Sequence, residues 1–346
     1  MVTKAALLIG CNYANNNNGY TLRGCIDDVV NVVDMLVDAY DYPPDHIVLL
    51  RDDVSNPSTW PTKANIVANL RTLLTKDCDE LWIHYSGHGV QTQGPNDSNT
   101  LCEAIVPCDF VTAGYLLDTE LFALLSQHAR CRTLVFFDSC HSGSALNLPF
   151  AFQAHPGQQA LDGPILVNPK NNNRIQGPVT MISGCRDAET SADGVNAFST
   201  LAEGAFTMSF LQALRQHRHH AALTQVYLDT CTILAQKGFS QHPVLSSSTV
   251  DAIDYVFVRP VTDLGAALPR PTIVPVPAVV AVAVPAIVAV PVPAPAPAPV
   301  VKPIPVPIAV TSMKPGQPVI RPPQYTTPIT SPFFGRRRPA RNGLLF

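Results

Sequence analysis

The chain has 346 residues, a formal charge of -3 and only 14% charged residues, with no long basic stripe, so composition offers no electrostatic case for a nucleic-acid partner. That length accommodates one large α/β domain or two smaller ones. The nine cysteines (11, 25, 78, 102, 108, 131, 140, 185 and 231) form no CxxC pair, and no hydrophobic leader follows Met1, so a reduced cytoplasmic or nuclear setting fits better than secretion.

In chain order, Ala5 to Gly10 is a compact apolar run that reads as a core strand, starting too near Met1 to leave room for an N-terminal prodomain. The Asn-rich stretch at 15–19 is a loop by composition. Leu22, Ile26, Val29, Val30, Val33, Leu36 and Val37 then recur at helical spacing, with Cys25 and Asp28 at the start of that helix. Ile47 to Leu50 reads as a short strand. Beyond Pro61, which suits a first helical turn, Ile66, Leu70, Leu73 and Leu74 mark one amphipathic face. Leu81 to Tyr85 is a buried strand running into Ser86-Gly87-His88-Gly89.

Residues 91–102 are polar and rich in turn formers, as expected of a surface loop. Ala104 to Val106 reads as a short strand, Leu117 to Gln127 as a helix, and Thr133 to Phe137 as a buried strand ending in Asp138-Ser139-Cys140-His141-Ser142-Gly143. The segment from Leu148 to Gly177 carries four prolines and an Asn run and reads as an exposed connector. Val179 to Ile182 resumes the sheet, helices follow at about 200–216 and 223–236, and final strands lie near Val244 and over 253–258. This alternation predicts an α/β fold, a mostly parallel, doubly wound sheet with helices on both faces. Twenty-one of the 33 prolines lie from Pro260 onward, which sets the domain boundary near Arg259, after a folded domain over 1–258. The tail over 259–346 is rich in Pro, Ala and Val and favours polyproline II; it suits an arm for SH3- or WW-type partners better than a membrane span, because each proline removes a helical hydrogen bond.

The chemistry concentrates at the ends of two strands. In open α/β sheets the carboxyl ends of the strands hold the active site, and two neighbouring strands there would deliver the Cys140 thiol and the His88 imidazole to one rim. A thiol is mostly protonated near neutral pH and needs a base or a positive neighbour to become a nucleophile. His84 and His141 are rival bases, the first inside its strand and the second adjacent to the nucleophile. His84 and His88 would suit a metal hydrolase only if their four-residue spacing lay on a helix, and this stretch reads as a strand. An inactive peptidase-like scaffold that presents the proline-rich arm is the other rival.

HYSGHG at 84–89, DSCHSGS at 138–144, LRGCIDD at 22–28 and SGCRDAETSADG at 183–194 resemble the type I metacaspases, caspase-related cysteine peptidases, over roughly residues 4–258 and in the family's order. The resemblance implies a caspase-like α/β fold, with a large part (about 1–148) and a small part (about 178–258) split in the connector (about 149–177), and a monomer. It also implies catalysis by His88 and Cys140, and an oxyanion held by the backbone N–H groups of Gly89 and Cys140. Asp28, Ser86 and Asp138 match the positions of a pocket for Arg or Lys before the scissile bond, and Lys170 and Arg174 in the connector are the expected self-cleavage positions. The match frays at the activating calcium site, where Cys102, Thr119 and Asn147 stand in place of expected acidic residues. None of these three brings negative charge to a hard cation, so calcium is expected to be bound weakly or to be dispensable.

Overall fold

Apolar runs with little internal polarity become parallel strands, because a strand covered on both faces needs apolar side chains pointing both ways. The computed structural model describes residues 3–14, 20–94, 101–139, 146–184 and 204–260. In chain order its principal elements are β1 (Lys4–Gly10), α1 (Cys25–Tyr40), β2 (Ile47–Arg51), α2 (Lys63–Leu74), β3 (Glu80–Ser86), β4 (Gly89–Gln93), β5 (Leu101–Ile105), α3 (Phe110–Ala113), β6 (Leu116–Leu117), α4 (Asp118–His128) and β7 (Arg132–Asp138). There follow β8 (Phe150–Phe152), β9 (Ile165–Leu166), β10 (Val179–Ser183), α5 (Ala205–Gln216), β11 (Ala221–Ala222), α6 (Leu223–Gln236), β12 (Val244–Ser247) and β13 (Val256–Phe257).

Eight strands form the central sheet in the order β2-β1-β3-β7-β10-β12-β8-β9. The first five pair in parallel and the last three antiparallel, so the doubly wound expectation holds for one half of the sheet and an antiparallel edge completes it. Strand alternation sorts the side chains. Leu7, Ile9, Leu81, Ile83, Val135 and Phe137 pack on one face against Ile66 and Leu70 of α2 and Leu121 and Leu125 of α4. Ala6, Leu8, Trp82, Leu134 and Phe136 pack on the other against Val29 and Leu36 of α1, Phe210 of α5 and Val226 of α6. At the centre of that second face the Trp82 ring stacks on Phe136 with centroids 4.2 Å apart; burying such a ring contributes about 2–3 kcal/mol.

Three segments depart from the sequence reading. The expected loop over 91–102 instead opens with β4, which pairs with β5 and, through it, with β6 in a separate antiparallel sheet. Its polar residues sit on a half-exposed surface where strand pairing, not apolar content, sets the structure. The connector is largely exposed, as expected, yet it supplies β8 and β9 to the main sheet and anchors itself through buried Leu148, Phe152 and Ile175. Single apolar anchors with no regular spacing are invisible to a periodicity test. The final strand expected over 253–258 is a 3-10 turn over Val250–Ile253 followed by β13, which pairs with β11 outside the main sheet.

Among the described residues no helix is long and apolar enough to cross a membrane. The proline-rich tail, Cys140 and most of the block at 183–194 lie outside the described residues.

Candidate active site

β3 and β7 are hydrogen-bonded neighbours, with Ser86 directly opposite Asp138. Both chains therefore leave the sheet at the same height. One continues through Gly87 to His88, and the other to Ser139, the last described residue before position 140.

His88 is 93% buried and held from several sides. Its Nε2 lies 2.8 Å from the carbonyl oxygen of Tyr20, which can only accept, so Nε2 carries the proton and Nδ1 is the basic nitrogen of the ring. The His88 backbone N–H donates to the Tyr13 hydroxyl at 3.0 Å, and its carbonyl accepts from the Tyr85 hydroxyl at 2.6 Å. The Tyr13 hydroxyl in turn donates to the Val106 carbonyl at 2.7 Å, and its ring packs on the imidazole with centroids 4.9 Å apart. Burial pushes both phenols well above their ordinary range, so they remain neutral donors. Tyr13 has a left-handed backbone, φ 54°, which a residue other than glycine adopts at a cost. Its N–H donates to the buried Asp52 carboxylate at 2.6 Å and helps to fix that conformation.

Space requires glycine at 87: a Cβ there would sit 2.5 Å from the Tyr85 hydroxyl and 2.9 Å from that of Tyr13. The two phenols that hold His88 fill the space a side chain would need.

Asp28, Ser86 and Asp138 come together at this end of the sheet, all at least 94% buried. The Ser86 hydroxyl donates to Asp28 Oδ2 at 2.7 Å. Asp28 lies in the first turn of α1, where the helix dipole favours a carboxylate. Asp138 accepts at 2.8 Å from the backbone N–H of Thr207, in the first turn of α5. Burial raises Asp138 to about 6, and the Thr207 bonds offset only part of that rise. Gly204, with φ +73°, closes against Asp28: a Cβ there would stand 2.7 Å from Oδ1. Two buried carboxylates, one bonded to the Ser86 hydroxyl and the other opposite Ser86 in the sheet, thus meet two helix N-termini.

His84, the rival base, is fully buried and lies 3.2 Å from the Thr207 hydroxyl, on the face of the sheet covered by α5. Burial depresses its imidazole to about 3, so it stays neutral and in the core. Its strand setting removes the helical spacing that a zinc pair with His88 would need. Lys170 and Arg174 are exposed on the connector, Lys170 in a 3-10 turn and Arg174 over the Phe122 ring at 5.1 Å.

The positions that correspond to a calcium cluster do converge, on Asp118. Its carboxylate accepts from the backbone N–H of Thr119 at 2.5 Å and of Glu103 at 3.3 Å, and also from the side chains of Asn147 and Cys102. Burial raises Asp118 above the ordinary carboxylate range. Donors thus meet the Asp118 oxygens, and among the described residues no group of three or more His, Cys, Asp or Glu side chains could hold a metal ion.

Sequence reasoning missed Tyr13, Tyr20, Tyr85, Thr207 and Gly204. Tyr85 carried a signal, since it is three residues before His88, near the end of the strand that leads to it. The others reach the site from loops and a helix far away in sequence.

A family profile described as metacaspase, peptidase C14 domain, matches residues 4–149. Metacaspase-5 of Trypanosoma brucei brucei is 36% identical over 255 residues, 70% of this chain and 50% of that protein, so the chain spans half the length of this relative. Metacaspase-1 of Schizosaccharomyces pombe is 33% identical over 71% of this chain and 67% of its own length. Metacaspase-2 of T. brucei brucei is 34% identical over 74% and 76%, respectively. Among solved structures, protein GSU0716 from Geobacter sulfurreducens matches with a TM-score of 0.50 and 21% identity over 75% of this chain and 98% of that one, a likeness of fold. With relatives a third identical across most of its folded region, the chain belongs to the metacaspases, the peptidase C14 family, and has their caspase-like α/β fold.

Proposed function

We propose that this metacaspase is a cysteine endopeptidase that cleaves after Arg or Lys. The observation that carries the specificity is the grouping of Asp28, Ser86 and Asp138, two buried carboxylates of which one accepts from the Ser86 hydroxyl and the other stands opposite Ser86 in the sheet. A guanidinium offers five donors in a planar fork that pairs with carboxylates bidentately, and its positive charge complements theirs. Substrate binding would then relieve an electrostatic cost of the unliganded fold.

In this reading His88 Nδ1 takes the proton of the Cys140 thiol, and the sulfur attacks the scissile carbonyl carbon. The oxyanion is met by the backbone N–H groups of Gly89 and Cys140. His88 gives its Nδ1 proton to the leaving amine, the C–N bond breaks, and an acyl-enzyme remains. His88 then takes a proton from water as it attacks the thioester, and the acid product leaves with Cys140 restored. The Tyr20 carbonyl keeps the proton on Nε2 throughout and so reserves Nδ1 for these transfers. Lys170 and Arg174 are the connector positions where the same preference would act on the chain itself.

Positional scanning of fluorogenic peptides at the residue before the cut tests the reading. Arg is expected first, Lys several-fold lower, and acidic residues near background. An Asp preference or a flat profile refutes it. Calcium is not part of the mechanism: activity in excess EGTA should stay within about two-fold of that with added Ca²⁺, given the donors that meet Asp118. Strict loss in chelator would overturn this part alone.

The proline-rich tail suits SH3- or WW-type partner domains, as its polyproline composition favours a preformed extended ligand. The inactive-scaffold reading predicts equal peptide cleavage by wild-type and Cys140→Ala protein. No observation at the site favours it.

A further inference from the structure

Cys78 and Cys131 stand at the amino ends of adjacent strands, 53 residues apart in sequence, with their Sγ atoms 3.2 Å apart. Cys78 precedes β3 by two residues and Cys131 precedes β7 by one. The parallel register Glu80↔Arg132 continues one step outward, where the Arg132 N–H donates to the Asp79 carbonyl at 3.2 Å. Neighbouring strands lie about 4.8 Å apart, within the Cα separations of about 4.4–6.8 Å that a disulfide spans. Asp79, between Cys78 and β3, is tied to Thr3 through its carboxylate at 2.7 Å and its N–H at 2.9 Å, so the backbone beside the pair is pinned. Both thiols are half-buried, whereas Cys11, Cys25, Cys102 and Cys231 are buried.

We propose that Cys78 and Cys131 form a reversible disulfide at the amino end of the sheet, the end opposite His88. The two thiols together give up two protons and two electrons and form one S–S bond. A peroxide-class oxidant accepts both, its O–O bond breaking to leave two molecules of water when the oxidant is hydrogen peroxide. Only about 1 Å of closure separates the sulfurs from the bond length of about 2.05 Å. Burial and the neighbouring Cys131 push the Cys78 thiol up to about 12, so the reaction quickens as pH rises. The bond ties the α2–β3 junction to the α4–β7 junction and so restricts the unfolded chain across a long loop. It hardens the scaffold under the catalytic rim and leaves the rim unaltered.

The test uses the full chain treated with hydrogen peroxide and then mapped with trypsin under non-reducing conditions, beside Cys78→Ser and Cys131→Ala. The expected product joins peptide 77–130, through Cys78, to the dipeptide Cys131-Arg132. It should form in the wild type only, raise the melting temperature by roughly 5–10 °C, and disappear with dithiothreitol. Failure to form the 78–131 link in native protein overturns the proposal. So does a link that leaves the melting temperature where the two variants have it.

Discussion

Replacing His88 with alanine is expected to reduce kcat/KM on an Arg-terminated peptide by about 10³-fold, within the range that general acid–base catalysis supplies. Cys140→Ala should remove turnover altogether, because the acyl-enzyme cannot form. Combining the two substitutions should cost no more than Cys140→Ala alone, since base and nucleophile act as one unit. The reason lies in how His88 is held. A ring that could rotate would split its time between tautomers and orientations. Here the Tyr20 carbonyl at 2.8 Å and the Tyr13 ring fix both, while the Tyr85 hydroxyl holds the His88 backbone carbonyl. Steady-state kinetics beside thermal melts checks the prediction: the melts should show that the His88→Ala protein is folded at the assay temperature. Retention of more than about a tenth of wild-type kcat/KM would remove His88 from the mechanism.

Asp138→Asn is expected to move activity and stability in opposite directions. The Asp138 carboxyl sits at about 6, above the roughly 3.9 of an aspartate in an unfolded chain. An acid raised on folding holds its proton more tightly in the native state. Its stabilising contribution is complete below about pH 4 and lost as pH rises through 6. At pH 7.5 the native protein therefore carries a buried charge compensated in part by the Thr207 N–H. Asparagine keeps an oxygen for that N–H and removes the charge, so stability should rise by roughly 1–3 kcal/mol at pH 7.5 and by little near pH 4. Cleavage after Arg should fall by about 10²-fold, mainly through KM, as one of the two carboxylates that face the guanidinium is gone. Wild-type cleavage should itself decline as pH drops below 6, where Asp138 takes up its proton. Urea unfolding and peptide kinetics across pH 4–8 measure both limbs. A variant that is less stable at pH 7.5 and still cleaves efficiently after Arg would show that Asp138 serves the fold rather than the substrate.

The stability cost and the proposed specificity share one origin. A carboxylate buried with incomplete compensation is poorly satisfied until a cation arrives, so substrate binding gains what folding gave up. The site should tolerate no neutral side chain equally well, for a neutral group leaves that charge uncompensated.

The sequence by itself determined the strands and the order in which chemistry appears along them. Apolar runs at 5–10, 81–85 and 133–137 are buried on both faces, and such runs have few alternatives to a central parallel strand. Because the apolar runs of β3 and β7 both end in polar residues, Ser86 and Asp138, the pairing of these two follows almost from the run lengths. Helical periodicity likewise placed α1, α2, α4 and α6 within a few residues.

What only the tertiary structure decided depends on groups with no local pattern. Tyr13 and Tyr20 reach His88 from a loop, Thr207 reaches Asp138 from a helix 69 residues away, and Gly204 matters because of where Asp28 stands. The strands β8 and β9 of the connector are fixed by partners in β12, and the Cys78–Cys131 pair by the register of two strands. Periodicity reports how a segment meets water, so it reveals burial. Which distant backbone N–H, carbonyl or thiol a residue meets is set by chain crossing and register, and these exist only once the sheet has assembled.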